Sequence, residues 1–154
     1  MRYQNFSIRS QLLTEAAALG GWVLRDLAPE GRTPFWLLSH PGAVGGEPRI
    51  AWSMMHGNEP TGFEALLHLI RCGQPQCDWT LVPLVNPSGV DAYNRLTSQG
   101  IDLNRRARDR GPLESDLLKS LLASRTFALA LNLHDQRSLF CPSGQSIPSS
   151  LSVL

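Results

Sequence analysis

No apolar run long enough to cross a bilayer occurs in this chain of 154 residues, and no signal peptide opens it, because Arg2 and Arg9 precede an Ala-rich amphipathic segment. A membrane protein is therefore not expected, and a cytoplasmic chain is. A surplus of one charge is also lacking. A net charge of +1 supplies no strong field for nucleic acid or an anionic membrane. Arg105, Arg106, Arg108 and Arg110 cluster, but a solvated loop accounts for them. Cysteine is scarce: Cys72, Cys77 and Cys141 are odd in number and not spaced like a zinc knuckle, so reduced thiols are expected. Internal repeats and a domain boundary are missing as well. With 42% hydrophobic residues the chain can bury the core of one domain over residues 1–154, ending in an irregular Ser- and Pro-rich tail over 141–154.

What is present is an alternation of strands and helices. Ser7 is placed to cap a helix over residues 8–19, which Gly20-Gly21 would end. Trp22–Leu24 and Phe35–Leu38 read as strands around a turn. The strand Ile50–Met55, a helix from Pro60 to about Arg71, the strand Trp79–Val85, a helix from Pro112 to about Ser124 and the strand Phe127–Leu133 follow. This order predicts an α/β fold, a mostly parallel or mixed central sheet with flanking helices.

His56 ends the run Ile50–Met55, and Pro60 opens the next helix, so His56-Gly-Asn-Glu59 lies on a strand-to-helix turn. Gly57 permits a tight bend and Pro60 suits a helix start. Three residues apart on one turn, His56 and Glu59 point the same way. His134 follows Phe127–Leu133, which reads as a buried strand. If the two strands are parallel neighbours, their C-terminal ends share one edge of the sheet, where open α/β sheets bind ligands. Two imidazoles and one carboxylate are the ligand set of a hydrolytic zinc site, in which Zn2+ keeps a fourth position for water and lowers its pKa to about 7.

The long segment after Val85 carries the remaining chemistry, since irregular chain of this length inside a small domain is unusual unless it forms a site. Asn104 and Arg105 are adjacent, so joint action on one ligand requires a loop or bulge. There, a guanidinium fork and an amide bind a carboxylate. Arg95 is a second cation able to hold an oxyanion near the metal. Asp135 follows His134 and is placed to orient a ligand. Glu64 is expected to face away, His68 to be an ordinary helical histidine, and His40 to lie in a loop.

Taken together, His56-Gly-Asn-Glu59-Pro-Thr-Gly62, Asn86-Pro-Ser-Gly89, Arg95 followed by Gly100-Ile-Asp-Leu-Asn104-Arg105, and Leu133-His134-Asp135 occur in an order that resembles the zinc carboxypeptidases over about residues 45–140. The resemblance implies that His56, Glu59 and His134 bind zinc, that Arg95 stabilises the oxyanion, and that Asn104 with Arg105 hold the substrate's C-terminal carboxylate. The implied reaction is hydrolysis of a peptide bond near a free C-terminus.

The chain departs from that family in one large respect. The glutamate base and the tyrosine that the family places well downstream have no counterpart, for neither Glu nor Tyr follows His134. The catalytic set is then incomplete and the domain truncated, with an exposed sheet edge that favours self-association. Ser88 stands where the family often has Asp, and Arg106 where it often has Asn. Two other functions compete: an amidohydrolase of the succinylglutamate desuccinylase and aspartoacylase type, acting on N-acyl amino acids, and a non-catalytic remnant that binds metal.

Overall fold

The computed structural model describes residues 5–42, 46–73, 75–106, 111–135, 139–140, 146–147 and 152–153. Arg2, Arg108, Arg110, Cys141 and most of the tail expected to be irregular lie outside them.

Helix α1, Phe6–Gly20, begins two residues earlier than Ser7 would allow, because Asn5 caps it by accepting the Ile8 N–H at 3.0 Å. Gly21 closes it in the left-handed conformation. Strands β1 (Val23–Asp26) and β2 (Trp36–His40) pair antiparallel, so His40 ends a strand, where a loop was expected. Next come β3 (Arg49–Ser53), α2 (Thr61–Cys72) and β4 (Trp79–Val82). Short helix α3, Pro87–Ala92, interrupts the stretch expected to be irregular. Helix α4 (Leu113–Ser124) and strand β5 (Leu129–His134) follow, then β6 (Leu139–Phe140), β7 (Ser146–Ile147) and β8 (Ser152–Val153).

The main sheet runs β1-β2-β4-β3-β5-β8. Its centre, β4-β3-β5, is parallel, while β1, β2 and β8 join antiparallel, so the sheet is mixed. Alternation along the strands divides the core into two layers. Ala51, Leu81, Leu38 and Leu133 pack with α1 and α2 through Leu13, Ala16, Phe63 and Leu66. Trp52, Val82 and Leu37 face the other way, toward Leu118, Leu121 and Leu103. Strand β5 is less buried than its apolar run implied: Leu129 is 38% exposed. Among the described residues only its last two positions, Leu133 and His134, have a partner on the side away from β3.

Candidate metal centre

Strands β3 and β5 are parallel neighbours in register, Ser53 opposite Leu133, so their carboxyl ends open on one edge, as the spacing of His56 and His134 requires. Met54 turns the chain out of β3 with φ of 54°, a conformation that costs a side-chain-bearing residue of order 1–3 kcal/mol. Its neighbours hold it there. The Asn86 N–H donates to the Met54 carbonyl at 3.1 Å, and Asn86 Nδ2 donates to the Met55 carbonyl at 3.2 Å.

Asn86 is fully buried and also caps α3, where its Oδ1 accepts the Gly89 N–H at 2.9 Å. The Asn-Pro-Ser-Gly segment is thus a clamp between the His56 loop and α3. Gly57 lies in the tight turn expected of it, closed by the Glu59 N–H donating to the His56 carbonyl at 3.1 Å, and serves the same junction. A Cβ at Gly57 would sit 1.9 Å from the Gly89 carbonyl carbon, so glycine is required by the passage of α3's backbone.

On this frame three donor side chains meet. His56 Nδ1 lies 2.8 Å from Glu59 Oε1, and His134 Nδ1 lies 2.7 Å from Glu59 Oε2. Donor atoms of His56, Glu59 and His134 all fall within 4.8 Å of one another, and both imidazoles are buried.

The other face of His56 decides its chemistry. His56 Nε2 is 3.1 Å from Asp102 Oδ1, and an ionised carboxylate only accepts, so Nε2 carries the proton. In its neutral form such an imidazole presents the bare lone pair of Nδ1 to the Glu59 carboxylate. Two acceptors at that separation need a cation between them, a metal ion or a second proton. The residues present therefore fit a metal ion, with His56 and His134 each offering Nδ1.

Electrostatics agree. Burial works to raise the Glu59 carboxyl, but hydrogen bonds from His134 and His56 and their positive charge outweigh it and hold the pKa at about 2. At Asp102 burial is likewise outweighed, by hydrogen bonds from His56, Arg95 and the Arg105 N–H, and the pKa again falls to about 2. Both groups bind protons more weakly folded than unfolded, so their contribution to stability is complete above the ordinary carboxylate range and lost as pH falls toward 2. Urea midpoints of the metal-free protein are expected to drop between about pH 5 and pH 3. A midpoint constant across that interval contradicts this account.

Arg95 reaches the cluster. Its Nε donates to Asp102 Oδ2 at 2.9 Å, and one terminal nitrogen lies 3.5 Å from Glu59 Oε1, with 43% of the side chain exposed. Asn104 and Arg105 occupy the turn that an adjacent pair needs, and both backbone N–H groups donate to Asp102 Oδ1, at 3.0 and 3.2 Å. Their side chains do not join the cluster: among the described residues neither makes a hydrogen bond or ion pair to it, and Arg105 is exposed.

The Asp135 N–H donates to Glu59 Oε2 at 3.4 Å, while its side chain bonds Thr61. Its Oδ2 accepts from the Thr61 N–H and hydroxyl at 3.2 and 2.9 Å, capping α2 beside Glu59. Burial raises its pKa, Thr61 opposes this, and the Glu59 charge adds to the rise. Glu64 faces α1 and pairs with Arg9 at 3.1 Å, as expected of a residue turned from the site. His68 is exposed, with its Nδ1 3.8 Å from Cys72 Sγ. Asp102 and Asn86 are the participants to which no role had been assigned. The available signal was Asp102 two positions before Asn104, the spacing of a side chain that accepts from backbone N–H groups ahead of it.

No protein-family model and no curated protein matches the sequence. Solved structures do. The metallo-carboxypeptidase from Burkholderia cenocepacia superposes with a TM-score of 0.73 over 84% of this chain and 40% of its own, at 17% identity. The metallo-carboxypeptidase from Pseudomonas aeruginosa, in complex with (2-guanidinoethylmercapto)succinic acid, gives 0.69 over 84% and 39%, at 19% identity. The fold is that of the metallo-carboxypeptidases. A succinylglutamate desuccinylase/aspartoacylase from Rhodobacter sphaeroides shares less of this fold, with a TM-score of 0.59 over 76% of this chain and 39% of its own, at 21% identity. The chain spans about half or less of the length of the solved structures it matches. Among the described residues no helix is long and apolar enough to cross a membrane.

Proposed function

We propose that this metallo-carboxypeptidase-fold chain binds zinc through His56, Glu59 and His134 and acts on an amide bond close to a free carboxylate. The observation that carries the proposal is the pair of Nδ1 atoms on one carboxylate, with Asp102 against Nε2 on the far side of His56. Zinc accepts this ligand set at about 2.0–2.2 Å per bond and, when bound, supplies a Lewis acid that activates water.

The chain's own groups do the rest. Asp102 orients His56 and fixes Arg95, whose exposed guanidinium is free on its solvent side to hold an oxyanion. The turn carrying Asn104 and Arg105 presents an exposed guanidinium to a substrate carboxylate. Peptide substrates are favoured over N-acyl amino acids by the larger structural overlap with the carboxypeptidases. Cys72 and Cys77 are free thiols, which fits work in the cytoplasm.

Elemental analysis tests the site. About one zinc per chain is expected, and none in His56→Ala or His134→Ala. A folded wild type that holds no zinc after equilibration sinks the proposal. Release of a C-terminal residue from peptides, against deacylation of N-acyl amino acids, then separates the two substrate classes. Retained zinc without turnover on either class leaves a metal-binding domain only.

A further inference from the structure

A cavity of about 380 Å³ opens between three segments to which no metal ligand belongs: the turn between β1 and β2 at Gly31–Thr33, the turn at Thr97–Gln99 and the start of α4 at Gly111–Glu114. Two antiparallel steps, β1 to β2 and β2 to β4, make β1 run parallel with β3. The turn after β1 therefore leaves the sheet at the edge that also carries His56 and His134. Among the described residues that line this cavity two are charged, Arg32 and Glu114, and their signs are opposite. Their side chains make no ion pair or hydrogen bond with each other or with any other described residue.

The wall between them is fixed. The Thr97 N–H donates to the Ile101 carbonyl and the Gly100 N–H to the Thr97 carbonyl, each at 2.9 Å, while Thr97 Oγ1 accepts the Gln99 and Ile101 N–H groups at 3.3 and 3.2 Å. Ser88 on α3 accepts the Ser98 N–H at 2.9 Å and ties this turn to the helix. These bonds use the turn's backbone and leave the side chains of Thr33, Ser98 and Gln99 without partners among the described residues. All three, like Arg32, are exposed, so a ligand reaches them, and Glu114 is half-buried.

We infer that this cavity binds a short zwitterion, a dipeptide or a free amino acid, with its carboxylate on Arg32 and its ammonium on Glu114. A guanidinium forks onto a carboxylate through two parallel N–H bonds, and a glutamate accepts from an ammonium. A dipeptide also carries one N–H and one C=O between its charges. The Thr33 and Ser98 hydroxyls and the Gln99 amide offer both donors and acceptors to them. Size agrees, since ligand sites enclose roughly 300–1,000 Å³ and this cavity lies at the small end of that range. A ligand of one sign leaves either Arg32 or Glu114 unmatched and meets the other as a like charge.

The Gln99 side-chain amide signal, identified by its loss in Gln99→Met, reports occupancy in a nitrogen-edited NMR spectrum. Ala-Ala is expected to shift it saturably in the millimolar range, as befits so small a molecule. Arg32→Ala and Glu114→Gln are each expected to weaken this binding about 5–10-fold with Tm unchanged, because neither side chain holds another part of the fold. N-acetyl-Ala-Ala, which lacks the ammonium, and Ala-Ala amide, which lacks the carboxylate, are expected to bind weaker by a similar factor. Alanine distinguishes the sources: weaker binding than Ala-Ala assigns the site to a dipeptide, and equal or tighter binding assigns it to a free amino acid. No shift by Ala-Ala or alanine, a shift that either variant leaves unweakened, or a blocked dipeptide that binds as tightly as Ala-Ala overturns the inference. Titration in the presence of a chelator keeps the dipeptide intact, so the result stands or falls apart from the proposed hydrolytic function.

Discussion

Asn86→Ala is expected to destabilise the protein by about 3–4 kcal/mol and to abolish tight zinc binding with it. The side chain is fully buried and joins the His56 loop, α3 and the Arg95 segment. Truncation strips the Gly89 N–H of its acceptor and the Met55 carbonyl of its donor, and removes the longer bond to the Arg95 carbonyl at 3.4 Å. Two buried backbone groups are then left unpaired in a low-dielectric region, on top of the cavity created. The left-handed Met54 loses part of the restraint that holds it, and the loop delivering His56 is freed to relax. Thermal unfolding checks the first part, with a fall in Tm of roughly 10 °C expected for a domain of this size. Ser88→Ala is the control, because its hydroxyl is only 3.4 Å from Asn86 Oδ1 and otherwise accepts the exposed Ser98 N–H. Equal, small losses in the two variants contradict the clamp.

Asp102→Ala is expected to weaken zinc binding about 10–100-fold while leaving all three ligands in place. One carboxylate of Asp102 holds His56 Nε2, Arg95 Nε and the N–H groups of Asn104 and Arg105. Its loss frees the proton of His56 to move to Nδ1, where it competes with the metal, and lets Arg95 and the Asn104–Arg105 turn drift. Asp102→Asn retains an acceptor for His56 and the turn but sets an amide against Arg95, so it recovers part of the affinity and little of the Arg95 position. Competition with a chromophoric chelator measures both. A merely structural Asp102 would lower Tm without changing the affinity of the folded fraction, and that result removes it from the metal centre.

The contrast between Glu59 and Asp102 illustrates how much of the site was legible beforehand. His56, Glu59 and His134 could be read from the chain because each stands at a strand end or a helix start, and both their types and their spacing survive in one dimension. Asp102 contacts His56 across 46 positions of chain, and Asn86 contacts Met55 across 31. No local pattern encodes either approach. Helix α3 was missed for a different reason: six residues are too few to show a period. Strand β5 was expected to be buried because apolar runs look alike, although only its C-terminal residues are covered on both sides.

Asn104 and Arg105 mark the limit most clearly. Their adjacency predicted a turn, and a turn is there, but their backbone, not their side chains, is what meets Asp102. The sequence by itself determined the α/β alternation and the supply of metal donors on two strand ends, since both follow from local periodicity and from the chemistry of side chains. Only the tertiary structure decided which nitrogen of His56 faces the metal, because a hydrogen bond to Asp102 on a distant turn sets the position of its proton.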